Sequence, residues 1–370
     1  MRIFPFRAIY PDLDKIEENQ AFFDTVKGSF PEYAASGMFL TDDSEAVFVY
    51  DIETDVRTQT GLVVNVDIQD YYKGKVRRHE HTISERESKM KGLFLERNAL
   101  IKPVLMSYKQ DKKISKIMDE ARDQIPFLNI QMADNERHVV YKVNDPKMIK
   151  SLKKRFKKDV GKAYIADGHH RCVTSARLYE MLHEREPSKD FSKILCMFIP
   201  HEELIIHDYN RVVEVLHEFS PTLFMARMSQ LCKITPLPEA AKPEGKYEMT
   251  MYVLREWYRL KWKKSVLKRY AGEDVIFDSA ILNHEVLGGL FGIENVRNDD
   301  RLKYVEGIGG VEGILRKTDK SIFRIAFCLY PVQMDEIHTV ADKHKTLPPK
   351  STWFEPRIKN GVLCAPFDKY

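Results

Sequence analysis

The order of apolar and polar positions along the chain predicts short strands interleaved with amphipathic helices. Runs rich in β-branched and aromatic residues predict strands, of which the first two are expected to be neighbours: Ala46–Ile52, Gly61–Ile68, His138–Val143, Ile194–Ile199 and Phe323–Tyr330. The segment Tyr247–Lys263 predicts a β-hairpin, and Asp278–Phe291 predicts an amphipathic helix. Strands and helices follow one another without a strict βαβ rhythm, which favours an α+β architecture over a doubly wound parallel sheet.

One further helix has a clear start signal. Asn144 and Asp145 offer a cap, and Pro146 stands at the first helical position. Apolar residues at helical spacing would line one face: Met148, Ile149, Leu152 and Phe156. Basic residues fall mostly on the other face, which is typical of a solvated helix surface: Lys153, Lys154, Arg155, Lys157 and Lys158.

Composition narrows the class of protein. The 370 residues correspond to about two domains, and the segment 236–245, with three prolines and a glycine, is the most linker-like. Hydrophobic residues make up 43%, which excludes a wholly disordered chain. The net charge of +4 is nearly balanced, so a nucleic-acid partner is not expected.

The spacing of the cysteines and the length of the apolar runs indicate the cellular compartment that we expect for the protein. The five cysteines are scattered and form no CxxC pair, so we expect neither a disulfide framework nor a structural zinc site. We see no signal peptide at the N-terminus and no apolar stretch of about 18 residues. A cytoplasmic protein without a membrane partner is therefore expected.

The segment Tyr164–Arg171, which reads YIADGHHR, carries the strongest chemical signal. A strand at Lys162–Ala166 is expected to end in a tight turn and to feed a helix from Cys172 onward. Backbone N–H groups at the positive end of such a helix bind phosphate.

The side chains of this turn suit the same chemistry. Gly168 lets the backbone approach a ligand, while His169, His170 and Arg171 add donors to phosphate oxygens. Asp167 is placed to hold a Mg²⁺ ion that bridges phosphates, or to orient a histidine. A metal pair or two structural core histidines remain alternatives, although adjacent histidines on a helix point about 100° apart.

A second signal is RRHEHT at Arg77–Thr82, followed by Ser84–Glu87. Cations around one carboxylate keep it ionised and oriented, as a general base requires. Glu80 could therefore take the proton of an acceptor, with Arg78 and His79 beside it. Taken alone, the segment is more typical of a solvated charge run.

A third signal is the proline-led loop LPPKSTWF near the C-terminus. Lys350, Ser351, Thr352 and Trp353 combine polar donors with an aromatic ring behind two prolines. Such a rigid loop could bind a small polar ligand. An ordinary surface turn fits the residues equally well.

Together these motifs resemble those of the bacterial and archaeal family of unknown function numbered 1015. The matching features are Pro5-Phe6-Arg7, the RRHEHT segment with its following ERE, YIADGHHR and the C-terminal PPKSTWFEP. The turn also resembles that of the fold shared by ParB proteins, sulfiredoxins and free-serine kinases. This resemblance implies an α+β protein with a mixed-sheet nucleotide-binding core at 1–200 and an appended α+β region at 201–370, whose PPKSTWF loop could return to the site.

The resemblance to serine kinases implies residue roles. A His-Glu pair upstream of the turn matches His79-Glu80, and a proline-led strand follows it, as at Ile101–Val104. Glu80 and Asp167 would then be catalytic, with Asp167 also holding Mg²⁺. The nucleotide phosphates of ATP or ADP would meet Arg78, His79, Gly168, His169, His170 and Arg171. The acceptor would meet Lys350, Ser351, Thr352 and Trp353.

The resulting hypothesis is a kinase that phosphorylates the hydroxyl of free L-serine or another small hydroxy amino acid. The alternative is a ParB-like nucleotide-dependent switch with slow hydrolysis, and a third hypothesis is a histidine-rich metal hydrolase. A homodimer is possible on the sequence alone. Two departures from the resemblance stand out. The spacing from Glu80 to Asp167 indicates an insertion, and Cys172 follows Arg171, which argues against sulfiredoxin chemistry.

Overall fold

The apolar runs of the N-terminal half form the sheet of the first of two units in the chain. In this computed structural model, residues 1–133, 135–215, 220–319, 321 and 324–369 are described. Met1–Leu204 together with Pro356–Tyr370 form the first unit, and Ile205–Glu355 form the second. The result is a mixed α+β protein.

The first unit begins with strands and helices that alternate irregularly. Its strands are β1 (Ile3–Phe4), β2 (Ile9–Pro11), β3 (Phe39–Thr41), β4 (Val47–Glu53), β5 (Thr58–Asp67), β6 (Val76–Arg77), β7 (Ala99–Leu100), β8 (Val104–Tyr108), β9 (Leu128–Gln131), β10 (Arg137–Val143), β11 (Ala163–Asp167) and β12 (Lys193–Pro200). Its helices are α1 (Asn19–Ala35), α2 (Ile68–Tyr72), α3 (Ser84–Arg97), α4 (Lys112–Arg122), α5 (Pro146–Asp159) and α6 (His169–Leu182). Short 3₁₀ turns lie at Leu13–Lys15 and His201–Glu203.

The main sheet of this unit is mixed. Its order is β6-β11-β8-β12-β5-β4-β10-β9, and β1 pairs with β5. The pairs β6–β11 and β8–β12 are parallel, and the other pairs are antiparallel. The predicted strands and the pairing of the first two are confirmed. The residues between Glu80 and Asp167, among which an insertion was expected, supply β8, β9, β10 and nearly all of β11 of this sheet.

Helix α5 begins as its sequence predicts. The Asp145 side chain accepts hydrogen bonds from the backbone N–H groups of Lys147 and Met148, and Pro146 is the first helical residue. Leu152 and Phe156 are buried in the sheet core. The predicted basic residues of the same helix are exposed or half-buried. Burial of the apolar stripe, which is favourable by about 1.5–3 kcal/mol per large side chain, therefore fixes the orientation of the helix.

The second unit has its own sheet and core. Its strands are β13 (Ile205–His207), β14 (Tyr209–Glu214), β15 (Cys232–Leu237), β16 (Glu248–Val253), β17 (Glu256–Trp262), β18 (Leu302–Glu306), β19 (Arg324–Leu329) and β20 (Trp353–Glu355). Its helices are α7 (Pro221–Leu231), α8 (Lys264–Leu267), α9 (Asp278–Ile281), α10 (Gly289–Phe291), α11 (Gly310–Thr318) and α12 (Met334–Asp342). Short 3₁₀ turns lie at Lys268–Tyr270 and Gly307–Gly309.

The six-stranded sheet of the second unit is antiparallel, in the order β15-β17-β16-β19-β14-β18. It contains the predicted hairpin as β16–β17. The predicted helix at 278–291 forms with a π-helical turn, Leu282–Gly288, between α9 and α10. The predicted last strand is β19, and Phe323 lies outside the described residues. The linker-like segment 236–245 lies between β15 and β16, inside the unit.

After the second unit the chain returns to the first one. Strand β21 (Ala365–Pro366) pairs with β7, and the backbones of Ile9 and Cys364 exchange hydrogen bonds of 2.9 and 2.8 Å. The division expected from the sequence, 1–200 and 201–370, therefore differs from the compact units at the C-terminus. The assignment of a function to each region stays a prediction.

The structure describes the surroundings of the cysteines and the lengths of the apolar helices. All five cysteines are free and buried, and burial raises the pKa of Cys172 to about 12. Within the described ranges, no helix combines the length and the apolar composition that crossing a bilayer requires.

Candidate active site

The turn between β11 and α6 is built around one glycine. Gly168 has φ of +104°, a conformation that residues with a Cβ rarely adopt. A Cβ at this position would lie 2.6 Å from Arg171 Nη2. Just before it, the pairing of β11 with β8 shifts register between Ile165 and Asp167, as a β-bulge does when it re-aims a side chain. Helix α6 begins at His169, earlier than the sequence pattern indicated.

Parallel pairing brings the two main sequence signals together. Arg77 at the end of β6 lies opposite Tyr164 on β11, so both strands end at the same edge of the sheet. The residues that follow β6 therefore meet the turn that follows β11. Glu80 Oε2 lies 3.4 Å from His169 Nδ1, and the Glu80 side chain is 46% exposed. The structure thus places this carboxylate beside the turn, in reach of solvent, and its role stays a prediction.

Two buried histidines support Glu80. The rings of His79 and His169 meet edge to face with centroids 4.5 Å apart, and the residues are only 1% and 4% exposed. Burial lowers the pKa of His79 to about 3 and the pKa of His169 well below its ordinary value. Both rings are therefore neutral at pH 7.

The tautomer of His169 follows from its contacts. The backbone N–H of His79 donates to His169 Nε2 over 3.4 Å, so the proton of the neutral ring sits on Nδ1. That proton faces Glu80 and orients its carboxylate. From the sequence, both rings were expected to contact phosphate. Both residues are buried and His169 contacts Glu80, and their contact with phosphate stays a prediction.

Three cations lie against Asp167: Arg171 comes from the same turn, and Lys102 and Arg357 come from distant parts of the first unit's sequence. The Asp167 carboxylate lies 2.9 Å from Arg171 Nη2, 3.9 Å from Lys102 Nζ and 3.3 Å from Arg357 Nη1. Burial by itself would raise the pKa of Asp167, but Arg171, Lys102 and Arg357 hold it well below its usual range. One negative charge among three positive ones leaves an excess that attracts an anion.

Two of these cations were not singled out from the sequence. Lys102 lies just before β8, whose first residues adjoin the end of β11. Arg357 follows the C-terminal PPKSTWFEP motif directly. The sequence pattern drew attention to the proline-led segment that contains Lys102 but gave Lys102 no role. The contact of Arg357 with Asp167 is visible only in the structure, where the C-terminal segment comes back to the first unit.

The surroundings of Asp167 do not fit a protein-held metal ion. Both of its carboxylate oxygens face cations, which would repel Mg²⁺. Among the described residues, no group of three or more His, Cys, Asp or Glu side chains could hold a metal. The predicted contact between Asp167 and a Mg²⁺ ion that bridges nucleotide phosphates stays a prediction.

Further polar and charged side chains lie on and near the turn. His170 is half-buried on the first turn of α6, and its Nδ1 has no hydrogen-bond partner within the described part of the chain. Burial and the nearby Arg86 both lower its pKa. Arg78 is exposed. Arg177 on α6 pairs with the buried Glu87 of α3, which holds α3 against α6.

The loop predicted to bind an acceptor belongs to the second unit. Ser351 is buried, and its hydroxyl donates to the Pro348 carbonyl over 2.7 Å, so this side chain stabilises the loop. Trp353 begins β20 and packs edge to face with Tyr209. Lys350 is exposed, with Nζ 5.2 Å from the centre of the Tyr209 ring, and Thr352 is half-buried. Their predicted role in substrate binding stays a prediction.

Comparison with known proteins gives a family and distant structural likenesses. The sequence profile of the family described as "Protein of unknown function (DUF1015)" matches residues 6–284. None of the curated proteins matches the sequence.

Two of the solved structures to which the chain is similar, both at low identity, illustrate the likeness. One is SbnI with a C-terminal truncation from Staphylococcus aureus, at 15% identity and a TM-score of 0.44, covering 82% of this chain and 87% of that one. The other is a variant of a free serine kinase in complex with ADP, at 11% identity and a TM-score of 0.41, covering 82% and 92%.

Proposed function

The chain belongs to the DUF1015 family of proteins of unknown function, and we propose that it is a small-molecule kinase. The proposed reaction moves the terminal phosphate of a nucleotide to the hydroxyl of a small hydroxy amino acid, with free L-serine as the first candidate. One observation carries the proposal: the Glu80 carboxylate lies beside a glycine turn whose helix start is surrounded by cations.

The turn supplies the phosphate half of the reaction. The N–H groups at the start of α6 point away from the helix, where anions bind. Arg171, Lys102 and Arg357 add positive charge within one cluster. Phosphoryl transfer depends mainly on such positioning and charge stabilisation. Asp167 holds the three side chains in place, so we regard it as a positioning residue.

Glu80 supplies the proton acceptor. The acceptor hydroxyl would lose its proton to Glu80 as its oxygen bonds to the terminal phosphorus, and the bond from phosphorus to the leaving nucleotide oxygen would break. The products are a phosphate monoester and the shortened nucleotide, which keeps the electron pair of the broken bond. The contact with His169 orients Glu80, and its side chain is 46% exposed, so the carboxylate can face the substrate.

A phosphorus NMR screen tests the proposal. Purified protein is incubated with Mg²⁺ and with ATP or ADP, and with serine or other hydroxy amino acids. We expect a new phosphate monoester signal with one acceptor. Glu80→Gln should abolish the signal and leave nucleotide binding intact, whereas Glu184→Gln, at a side chain that is 86% exposed on the same unit, should change neither.

The same screen separates the kinase from the ParB-like switch. A switch would consume nucleotide slowly at a rate that does not depend on any hydroxy amino acid. A kinase consumes it only as the acceptor is phosphorylated. Unchanged turnover in Glu80→Gln, or the lack of any phosphorylated acceptor, would contradict the proposed reaction.

A further inference from the structure

A cavity of about 360 Å³ opens in the first unit beside β1 and β5. Its lining includes the Pro5-Phe6-Arg7 motif, which the proposed reaction does not use. We propose that this cavity binds the adenosine half of the phosphate donor, an inference that rests on the proposed function. The phosphates of the same nucleotide would then extend to the turn at Gly168.

The register of the sheet relates the cavity to the turn. The pairs that lead across the sheet are Asn65 with Leu195, Cys196 with Val104, and Leu105 with Asp167, so Asp167 lies two residues further along the strands than Asn65. Asn65 lines the cavity. Three strand spacings of about 4.8 Å and two residues of about 3.3 Å therefore separate it from Asp167, or about 16 Å.

This separation selects the occupant. A hydroxy amino acid is too short to lie in the cavity while its hydroxyl meets Glu80, which contacts His169 beyond Asp167. An extended adenosine nucleotide is long enough to place its base at Asn65 and its terminal phosphate at the turn. The cavity therefore suits the donor and not the acceptor.

The lining has the chemistry of an adenine site. Three phenylalanine rings contribute to it, at Phe4, Phe6 and Phe367, and aromatic faces stack with bases. The Asn65 Oδ1 atom is buried without a hydrogen-bond partner in the described part of the chain. A buried acceptor of this kind is costly unless a donor reaches it. The exocyclic amine of adenine is such a donor, and asparagine pairs with the adenine edge in other proteins.

The charges of the cavity agree with a neutral base and ribose. Its cations are Arg7, Lys153, Lys193 and Lys369, and its acidic residues are Glu45, Asp190 and Asp368. Lys193 Nζ lies 4.2 Å from the centre of the Phe4 ring. This nearly balanced set contrasts with the three cations around Asp167, so a second phosphate site is disfavoured here.

Two chain segments contribute residues both to the cavity and to the cation cluster around Asp167. Leu100 lines the cavity and Lys102 reaches Asp167. In the C-terminal segment, Arg357 reaches Asp167 and Phe367 lines the cavity. The Gly361 N–H donates to the Ile101 carbonyl over 2.7 Å and holds the two segments together.

Isothermal titration of the full chain tests the inference with three probes: ADP, inorganic pyrophosphate and adenosine. We expect Asn65→Ala to weaken ADP and adenosine binding at least fivefold (about 1 kcal/mol) and to leave pyrophosphate binding unchanged. Asn129→Ala, on the exposed face of the edge strand β9, should change nothing. Phe4→Leu provides a second variant if Asn65→Ala does not fold.

The outcomes distinguish the two proposals. If pyrophosphate and ADP bind and the cavity variants bind ADP like the wild type, the cavity assignment is wrong and the kinase proposal stands. If pyrophosphate and ADP fail to bind, the kinase proposal is wrong. In that case, adenosine binding that is lost in Asn65→Ala would still support a nucleoside site, and its absence would overturn that as well.

Discussion

Arg357 Nη1 lies 3.3 Å from Asp167 Oδ1, which joins the end of strand β11 to a residue of the C-terminal segment. The contact adds the third cation to the cluster at the turn. The C-terminal segment that carries Arg357 is held against the rest of the first unit by the pairing of β21 with β7 and by the hydrogen bond from the Gly361 N–H to the Ile101 carbonyl. The last residues of the first unit are therefore part of the candidate site.

Removal of Arg357 should weaken nucleotide binding. A charge-assisted contact to phosphate contributes about 1.5–3 kcal/mol, so Arg357→Ala should raise the Kd of ADP roughly tenfold or more. Arg357→Lys should recover part of the affinity. Arg137→Ala, which removes a surface arginine paired with Glu53 in the same unit, is the control. Titration calorimetry measures all four proteins, and equal affinities would show that the cluster does not bind phosphate.

His169 should act on the rate of transfer and not on nucleotide affinity. His169→Ala removes the proton donor that faces Glu80 and should lower kcat by about 10²-fold, within the range of positioned acid–base groups. The Kd of ADP should change little. His169→Asn keeps an N–H close to the position of Nδ1 and should restore part of kcat. A purely structural role would give no rescue and would lower the melting temperature and kcat together.

Lys102 should make nucleotide affinity depend on pH. Burial, with Arg171 and Arg357 nearby, lowers its pKa to about 8 in spite of Asp167. The cation is thus lost as pH rises through about 8, and the affinity for ADP should fall above that pH, approaching tenfold per pH unit. Calorimetry between about pH 7 and pH 9.5 measures this slope. Lys102→Arg keeps its charge and should flatten it.

The effect of Lys102 on folding has the opposite sign. Its ordinary pKa is 10.5, so the unfolded chain binds more protons at this group than the folded chain between about pH 8 and pH 10.5. Its contribution to the free energy of unfolding therefore rises with pH over this window. A fall in ADP affinity that simply followed unfolding would contradict the assignment, and denaturant titration at each pH provides the check.

Gly168→Ala should damage the turn. The positive φ costs a residue with a Cβ about 1–2 kcal/mol, and the new Cβ would push against the guanidinium of Arg171. The free energy of unfolding should fall by about that amount, with weaker ADP binding. Gly28→Ala in α1, where a Cβ meets nothing within 4 Å, should instead stabilise by about 0.5–1 kcal/mol. Urea unfolding compares them, and equal effects would mean that the turn tolerates a side chain.

Local signals predicted much of the fold. Helix α5 is one example, with its cap at Asp145, its first-turn Pro146 and its buried Leu152 and Phe156. These features depend on residues within one helix, so they can be recognised in the sequence. Helix α3 was not predicted from its pattern, because its mostly charged residues show little apolar periodicity. The π-helical turn at Leu282–Gly288 was also missed, since it keeps an amphipathic pattern.

The candidate site was only partly predictable. The turn at Gly168 and the pairing of Glu80 with it were expected, but the roles of His79 and His169 were not, because burial depends on what packs over them. Lys102 stands alone in the sequence, with no neighbour that signals its contact with Asp167.

By itself, the sequence determined where several strands and helix α5 lie, which face of that helix is apolar and that a glycine turn feeds a helix. These properties follow from steric limits and burial within a few residues. Tertiary structure alone decided that β6 runs parallel to β11, that Arg357 returns to Asp167 and that a cavity opens beside Asn65. Apolar strands of similar composition can pair in several orders. The strand order that forms therefore depends on packing over the whole unit, and no single segment of the sequence specifies it.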